Sequence, residues 1–353
     1  MRRNILVTGA TGKQGQALIK ALLQPPSDSN SGPGSGDARG ETAAQPDLES
    51  HTYHIYALTR NTTSPASKHL ASLSSENLTL VQGDLDISSS IREIFTKAKD
   101  DSAVGGIWGV FAVLAYPGLG AEADGEEYQG KMLADLALEF GVECFVYSSV
   151  GRSGPEYEAE LTLDRRAKRN VENHVRLRGL GWTILRPGFF MENFGGFIGS
   201  ITSTVLKSGL NAGTTVGLIA SEDVGNVAAA VFRDHEKYRS KILLVIAEYV
   251  TMNQMYASYQ QAKGKPMPSV PGMFGKLLLK FNKATQELIE DIKVNHHART
   301  TGQYPTSKEE RNLAMQAYRM KSYEEWLVAG KDGKDNQAGW NQVSLTSLVT
   351  GKH

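Results

Sequence analysis

The chain has 353 residues, 40% hydrophobic and 22% charged, an ordinary globular composition that allows a sizeable core. Its 38 basic and 38 acidic residues cancel, which excludes a global basic field for nucleic acid. The one cysteine, Cys144, excludes an internal disulfide framework and a cysteine-based zinc cluster.

Along the chain, short apolar runs alternate with longer amphipathic ones. Residues 4–7 read as a first strand behind a basic start. That apolar run stops at Val7, too short for a secretion signal, and no stretch reaches the ~18 apolar residues of a membrane span. A cytoplasmic protein is expected, with the nucleus open to it if it is regulatory. Residues 16–23 read as a helix. Residues 25–50 are rich in Ser, Gly and Pro with few large apolar side chains, so a disordered surface insertion is expected there.

Residues 54–58 and 78–82 are the second and third strands. Ile91, Ile94 and Phe95 mark one helix face. Residues 109–114 form a fourth strand, apolar throughout and therefore buried on both faces. Tyr128, Met132, Leu136 and Phe140 recur at helical spacing, Leu133 and Ala137 widen the stripe, and Gly141 is the stop. Residues 144–148 are a fifth strand, 165–178 a helix and 183–186 a sixth strand. Beyond residue 190 the pattern loosens into a helix at 221–232, a strand at 242–247, helices at 252–263 and within 274–294, and a polar tail. Strand–helix alternation predicts an α/β fold with a doubly wound parallel sheet. The expected division is a nucleotide-binding domain at 1–190, a smaller interleaved C-terminal lobe at 191–340, and a tail at 341–353.

The first strand runs into Thr8-Gly9-Ala10-Thr11-Gly12-Lys13-Gln14-Gly15. Gly9 permits a tight turn, Gly12 lets backbone approach a pyrophosphate, and Gly15 lets the helix pack close to the strand. The helix start then offers N–H groups and partial positive charge to phosphates. A dinucleotide is the expected ligand. At the end of strand two an NAD site usually places an acid for the ribose 2′-hydroxyl; this chain has Leu58-Thr59-Arg60 instead. The Arg60 guanidinium suits a 2′-phosphate, which points to NADP. Asp84, after strand three, is placed to bond the adenine amino group or to cap the next helix, a role for which Ser88 competes.

The glycine turn, Leu58-Thr59-Arg60, Gly83-Asp84-Leu85, Gln129-Gly130-Lys131, Val146-Tyr147-Ser148-Ser149, Arg186-Pro187-Gly188, Phe190-Met191-Glu192-Asn193 and Ser221-Glu222-Asp223-Val224-Gly225 occur in succession. Together they resemble the NmrA-like family, an atypical branch of the short-chain dehydrogenase/reductase superfamily. The resemblance implies a Rossmann domain that binds NADP, with Leu85 among the cofactor-binding residues, and a small substrate lobe. It implies either an NADPH reductase or a redox-responsive regulator that acts through a protein partner. Many fungal members belong to secondary-metabolite pathways.

Typical members of the superfamily use Tyr-x-x-x-Lys, the lysine holding the nicotinamide ribose. The resemblance places Lys168 at that lysine; Asp164, not tyrosine, stands four residues before it. Lys168 is therefore the one catalytic candidate, as a proton shuttle or a cofactor anchor. Tyr157 is a weak substitute phenol, and Ser148 and Ser149 are candidates to bond a substrate carbonyl. Leu114, Ala115 and Tyr116 are expected against the nicotinamide through their backbone, and Phe190, Met191, Glu192 and Asn193 near its amide. Two readings remain. One is an oxidoreductase passing hydride to or from a ketone, enone or quinone-like metabolite. The other is a non-catalytic NADP sensor with a protein partner. Neither calls for a metal, direct nucleic-acid binding or a membrane.

Overall fold

The computed structural model describes residues 2–24, 52–74, 76–101 and 105–330. The insertion at 25–50 and the tail at 341–353 lie outside the described residues. The first part of the chain alternates as its pattern predicts: β1 (Arg2–Val7), α1 (Lys13–Leu23), β2 (Thr52–Thr59), α2 (Pro65–Ala71), β3 (Leu78–Gln82), α3 (Ser88–Asp100), β4 (Gly109–Ala112), α4 (Asp124–Glu139), β5 (Cys144–Ser148), α5 (Leu163–Leu177) and β6 (Trp182–Pro187). The second part runs β7 (Phe189–Phe190), α6 (Gly196–Gly209), β8 (Thr215–Ile219), α7 (Ser221–Arg233), α8 (His235–Tyr238), β9 (Lys241–Val245) and β10 (Glu248–Thr251). Helices α9 (Met252–Lys263), α10 (Gly272–Phe281), α11 (Lys283–Thr300), α12 (Ser307–Ala317) and α13 (Tyr323–Val328) follow. Short 3-10 turns occupy Pro155–Glu160 and Met191–Phe194.

Seven strands form one sheet in the order β3-β2-β1-β4-β5-β6-β9, and every neighbouring pair is parallel. Strand order reverses between β1 and β4. That reversal opens the crevice where doubly wound sheets take ligands, at the strands' C-terminal ends. Ile5, Leu6 and Val7 are buried, in register with 55–57 on one side and 109–111 on the other. Helices cover both faces. Gly225 brings α7 onto α1: a Cβ there would lie 2.6 Å from the Ala17 Cβ.

The smaller lobe is a three-stranded sheet, β10-β8-β7, with its own core of Met191, Phe194, Leu218, Met255, Ile289 and Trp326. The interleaving is deeper than a cut at residue 190. Helix α7 and β9 return to the large sheet, and Ala314 of α12 joins its core. The polar tail expected after residue 294 is a correction. There α11 continues to Thr300 and α12 and α13 follow, anchored by buried Tyr323 and Trp326. The stripe expected on α4 holds at Leu133, Leu136 and Ala137, with Met132 and Phe140 packed against the same core, and fails at Tyr128. Tyr128 is exposed, and the buried face is Glu126, Gly130, Leu133, Ala134, Leu136 and Ala137. Among the described residues no helix is long and apolar enough to cross a membrane.

Candidate active site

The glycine turn is built by backbone requirements. Gly9 has φ of 56°, in the left-handed region, with the β4 continuation packed on it: a Cβ would meet the Val113 carbonyl at 3.2 Å. The Thr8 hydroxyl donates to the Val113 carbonyl at 2.8 Å and accepts from its N–H at 2.8 Å, so the first and fourth strand ends are fixed together. Gly12 donates from its N–H to the Gly9 carbonyl at 2.9 Å. Ala10 is core, and the Thr11 carbonyl accepts from Gln16 Nε2 at 2.7 Å. At Gly15 a Cβ would overlap the Gly9 carbonyl and lie 2.8 Å from the Ala10 Cα. Gly12 caps α1 and brings no side-chain acceptor to the first-turn N–H groups. They are suited to phosphate oxygens. Gln14 Oε1 accepts from the Ser148 hydroxyl at 2.7 Å, joining this turn to the end of β5.

Arg60 follows β2 directly and its side chain is exposed; its carbonyl accepts from Gln82 Nε2 at 3.4 Å. Val7 pairs with Ala57, so Arg60 lies at the same end of the sheet as the glycine turn. Asp84 does not cap α3, whose N-cap position is held by Ile87. Its Oδ1 accepts from the Asp86 N–H at 3.0 Å, and its own N–H donates to Ser90 Oγ at 3.0 Å. Ser88 is no cap either, because Ile87 holds the N-cap position of α3 without a side-chain bond. Leu85 packs against the core on the α3 side.

Lys168 is 9% exposed on α5. Its ammonium is ion-paired with Glu126, which is 5% exposed in the first turn of α4. The ring of Tyr116, beyond β4, lies 5.8 Å from Lys168 Nζ. Leu114 is half-buried against the α4–α5 core, and Ala115 is exposed. Glu126 Oε2 and the Tyr147 hydroxyl are buried without a hydrogen-bond partner, and so is the Ser149 hydroxyl. Burial pushes the Glu126 carboxyl above its usual range, against the pull of the Lys168 charge. Burial also raises the Tyr147 hydroxyl, with the Glu126 and Glu172 charges adding to it. The Tyr157 hydroxyl donates to Gln303 Oε1 at 2.7 Å.

A family model described as the NmrA-like family matches residues 1–327. The chain belongs to the NmrA-like family. An NmrA-like family domain-containing oxidoreductase, cpsB of Aspergillus campestris, is 25% identical over 284 residues, covering 74% of this chain and 73% of that protein. The transcriptional regulator NmrA in complex with NADP superposes with a TM-score of 0.61 at 17% identity, covering 94% of this chain and 97% of the other. NADPH-dependent quinone oxidoreductase QOR2 from Escherichia coli, solved with NADPH, gives 0.59 at 16% identity, covering 93% and 99%. At those identities the structural likenesses show the fold.

Other segments that mark this NmrA-like chain serve the framework. In Arg186-Pro187-Gly188, Arg186 is bidentate to buried Glu172, through Nε at 3.2 Å and Nη2 at 2.7 Å, and donates to the Tyr304 hydroxyl at 2.9 Å. Arg152 pairs with the same Glu172. The carboxylates around Arg186 hold its guanidinium well above the usual range, whereas burial lowers that of Arg152. In Phe190-Met191-Glu192-Asn193, Met191 is small-lobe core and Phe190 packs on the large core. The Glu192 carboxylate accepts from the Ser221 N–H at 3.0 Å and hydroxyl at 2.5 Å, holding the start of α7. The side chains of Met191 and Glu192 are thus committed to structure, and half-buried Asn193 keeps the amide-side role open. Cys144 is buried on β5, and burial pushes its thiol up. A cavity of about 450 Å³ in the small lobe is lined by Phe194, Phe197, Tyr259, Pro268 and Val270; none of the predicted site residues is in its wall.

Sequence reasoning missed Glu126. The available signal was phase. Glu126 falls on the buried stripe with Gly130, Leu133 and Ala137, where an acid is out of place unless it has a partner. It also missed the Ser148–Gln14 bond and the Glu172 network, which join residues far apart in sequence.

Proposed function

We propose that this chain is an NADP(H)-dependent oxidoreductase that passes hydride between the nicotinamide and a small organic metabolite of ketone, enone or quinone type. The carrying observation is that one sheet end holds an uncapped helix start behind a glycine turn and, beside it, a buried lysine–carboxylate pair. The residues fit a dinucleotide. The tight Gly9–Gly15 packing leaves the backbone open to phosphates, and Arg60 supplies an exposed cation at the end of β2. The neighbours support it: NmrA is described in complexes with NAD and with NADP, and triphenylmethane reductase from Citrobacter in complex with NADP(H).

In this reading the first turn of α1 and Arg60 hold the phosphates, Asp84 and Leu85 flank the adenine, and the backbone at Leu114, Ala115 and Tyr116 borders the nicotinamide. Lys168 anchors the nicotinamide ribose and holds the proton nearest the reacting carbonyl. When bound, the nicotinamide supplies the hydride; the protein supplies orientation and electrostatics. The protein works in the cytoplasm. The test is calorimetric titration with NADPH, NADP+, NADH and NAD+ of the parent and of Arg60→Ala. Preference for the phosphorylated pair, lost in Arg60→Ala, supports the reading; binding of none of the four ends it.

A second reading is a redox sensor acting through a protein partner. It is favoured by Asp164 standing where the superfamily tyrosine would be, and by an exposed apolar face on α10, where Met273, Phe274, Leu277 and Phe281 reach solvent. Steady NADPH oxidation by any carbonyl or quinone panel member decides for the enzyme. Partner affinity that responds to NADP with no turnover decides for the sensor.

A further inference from the structure

Glu126 and Lys168 come from two helices, the first turn of α4 and the second turn of α5, and meet beneath the Tyr116 ring. Taking two charges out of water is expensive, and well-packed apolar residues commonly replace such a pair without loss of stability. The α4–α5 contact does not need the pair. One turn further on, Gly130 already packs against Val171, tightly enough that a Cβ would lie 2.6 Å from its methyl carbon. Nor is the pair fully satisfied, since Glu126 Oε2 is buried without a hydrogen-bond partner. A buried carboxylate with one oxygen paired and one unused is a poor structural device and a good acceptor for something else. Both groups lie at the sheet end that carries the glycine turn.

We propose that Glu126 is a positioning residue: it aims the Lys168 ammonium at the cofactor site and cancels its charge, so that this end of the site takes a neutral, hydroxyl-bearing group and not an anion. The inference rests on reading the site as one for a nicotinamide dinucleotide, whose ribose hydroxyls have that chemistry. With the carboxylate in place, Lys168 is a fixed donor beside a free acceptor. Without it, a buried ammonium has no counter-charge and gives up its proton more readily. The other titratable or charged groups facing the pair are Asp164 on α5, Tyr116 after β4 and Tyr147 on β5, with Arg165 paired to Asp291.

The experiment is NADPH affinity by calorimetry from about pH 6 to about pH 9 for the parent, Glu126→Gln, Glu126→Asp and Lys168→Met, with thermal unfolding of each. Glu126→Gln is expected to weaken NADPH about tenfold near neutral pH, the loss of roughly one charge-assisted hydrogen bond. Its affinity should fall further as pH rises, because burial without a counter-charge favours the neutral amine. Glu126→Asp, which keeps the charge, should restore the flat profile of the parent at reduced affinity. Lys168→Met should abolish the pH dependence. Removing the carboxylate should also strengthen inhibition by a small carboxylate such as benzoate. Glu126→Gln that binds as the parent does, with the same profile, overturns the inference and leaves the dinucleotide reading intact. Parent protein that binds no dinucleotide removes both. If Glu126→Gln does not fold, Glu126→Asp decides: parent affinity at every pH overturns the positioning role.

Discussion

The glycine turn after β1 and the Lys168 pocket beyond β4 and β5 share one end of the sheet and are made of different material. The turn is backbone. Gly9, Gly12 and Gly15 act by what they lack, and their partners are within one turn of chain or on the neighbouring strand end. The pocket is side chain. Glu126, Tyr147 and Lys168 come from three elements, and their burial sets their chemistry. Behind the pocket a third construction, Arg152–Glu172–Arg186 with Tyr304, ties α5 and β6 to the segment before α12. The difference is one of tolerance. A backbone cradle fails by crowding, and a buried ionic one by leaving a charge alone.

The largest test of that contrast is Glu172→Ala. Glu172 is fully buried and meets two guanidiniums, so its removal strips each of its nearest counter-charge and leaves Glu158, and for Arg186 also Glu310, to balance them. Breaking such a group costs about 3–5 kcal/mol. Denaturant unfolding of the purified variant checks this, and a loss below ~1 kcal/mol would show that the arginines find water or other acceptors.

Gly15→Ala comes next. The added methyl meets the backbone of Gly9 and Ala10, which cannot swing away as a side chain can. Overpacking of about 1–3 kcal/mol is expected, with dinucleotide affinity falling as the turn is pushed apart. Gly125→Ala is the matched control. Nothing lies within 4 Å of its Cβ position, and in the first turn of α4 alanine is neutral or slightly stabilising. Equal destabilisation by the two substitutions would break the argument that close approach at Gly15 is the requirement.

The same contrast explains what could be read from sequence. The glycine turn announces itself because its physics is local: an apolar strand, glycines at fixed spacing and a helix in one short stretch. The parallel sheet is legible for the same reason, through continuous apolar runs such as 109–112 between helical ones. Glu126 was hidden because its meaning depends on Lys168, 42 residues away, and on a helix phase that a stripe begun at exposed Tyr128 obscures. Asp84 misled as a helix cap because an Asx-type turn at 84–86 uses the residue type that an N-cap would use. The helices after residue 300 were lost because α12 and α13 are short, 11 and 6 residues, and show too few turns for a helical period to stand out.

Arg60→Ala sharpens the comparison at the exposed rim, where neither crowding nor burial applies. Arg60 is exposed after β2, so its loss should leave unfolding unchanged within ~0.5 kcal/mol. NADPH should bind about 10- to 100-fold more weakly, the range of one or two charge-assisted hydrogen bonds, while NADH is unaffected. A parallel loss for NADH would place Arg60 on the pyrophosphate and not on a 2′-phosphate.

Ser148→Ala has the smallest expected effect and lies where the two constructions meet. The Ser148 hydroxyl donates to Gln14 Oε1 at 2.7 Å, so a strand-end side chain of the pocket side is bonded to the first turn of α1. As a structural link alone, its loss costs about 0.5–1.5 kcal/mol, because a part-buried acceptor on Gln14 can recruit water. Unfolding and NADPH affinity should then fall together and by little. If Ser148 instead turns to a substrate carbonyl once the cofactor is in place, kcat/KM should drop by more than the stability change allows, with NADPH affinity nearly unchanged. Gln14→Ala separates the two cases. It removes the same bond from the other side and leaves the Ser148 hydroxyl in the site, so a kinetic loss confined to Ser148→Ala assigns that hydroxyl to substrate.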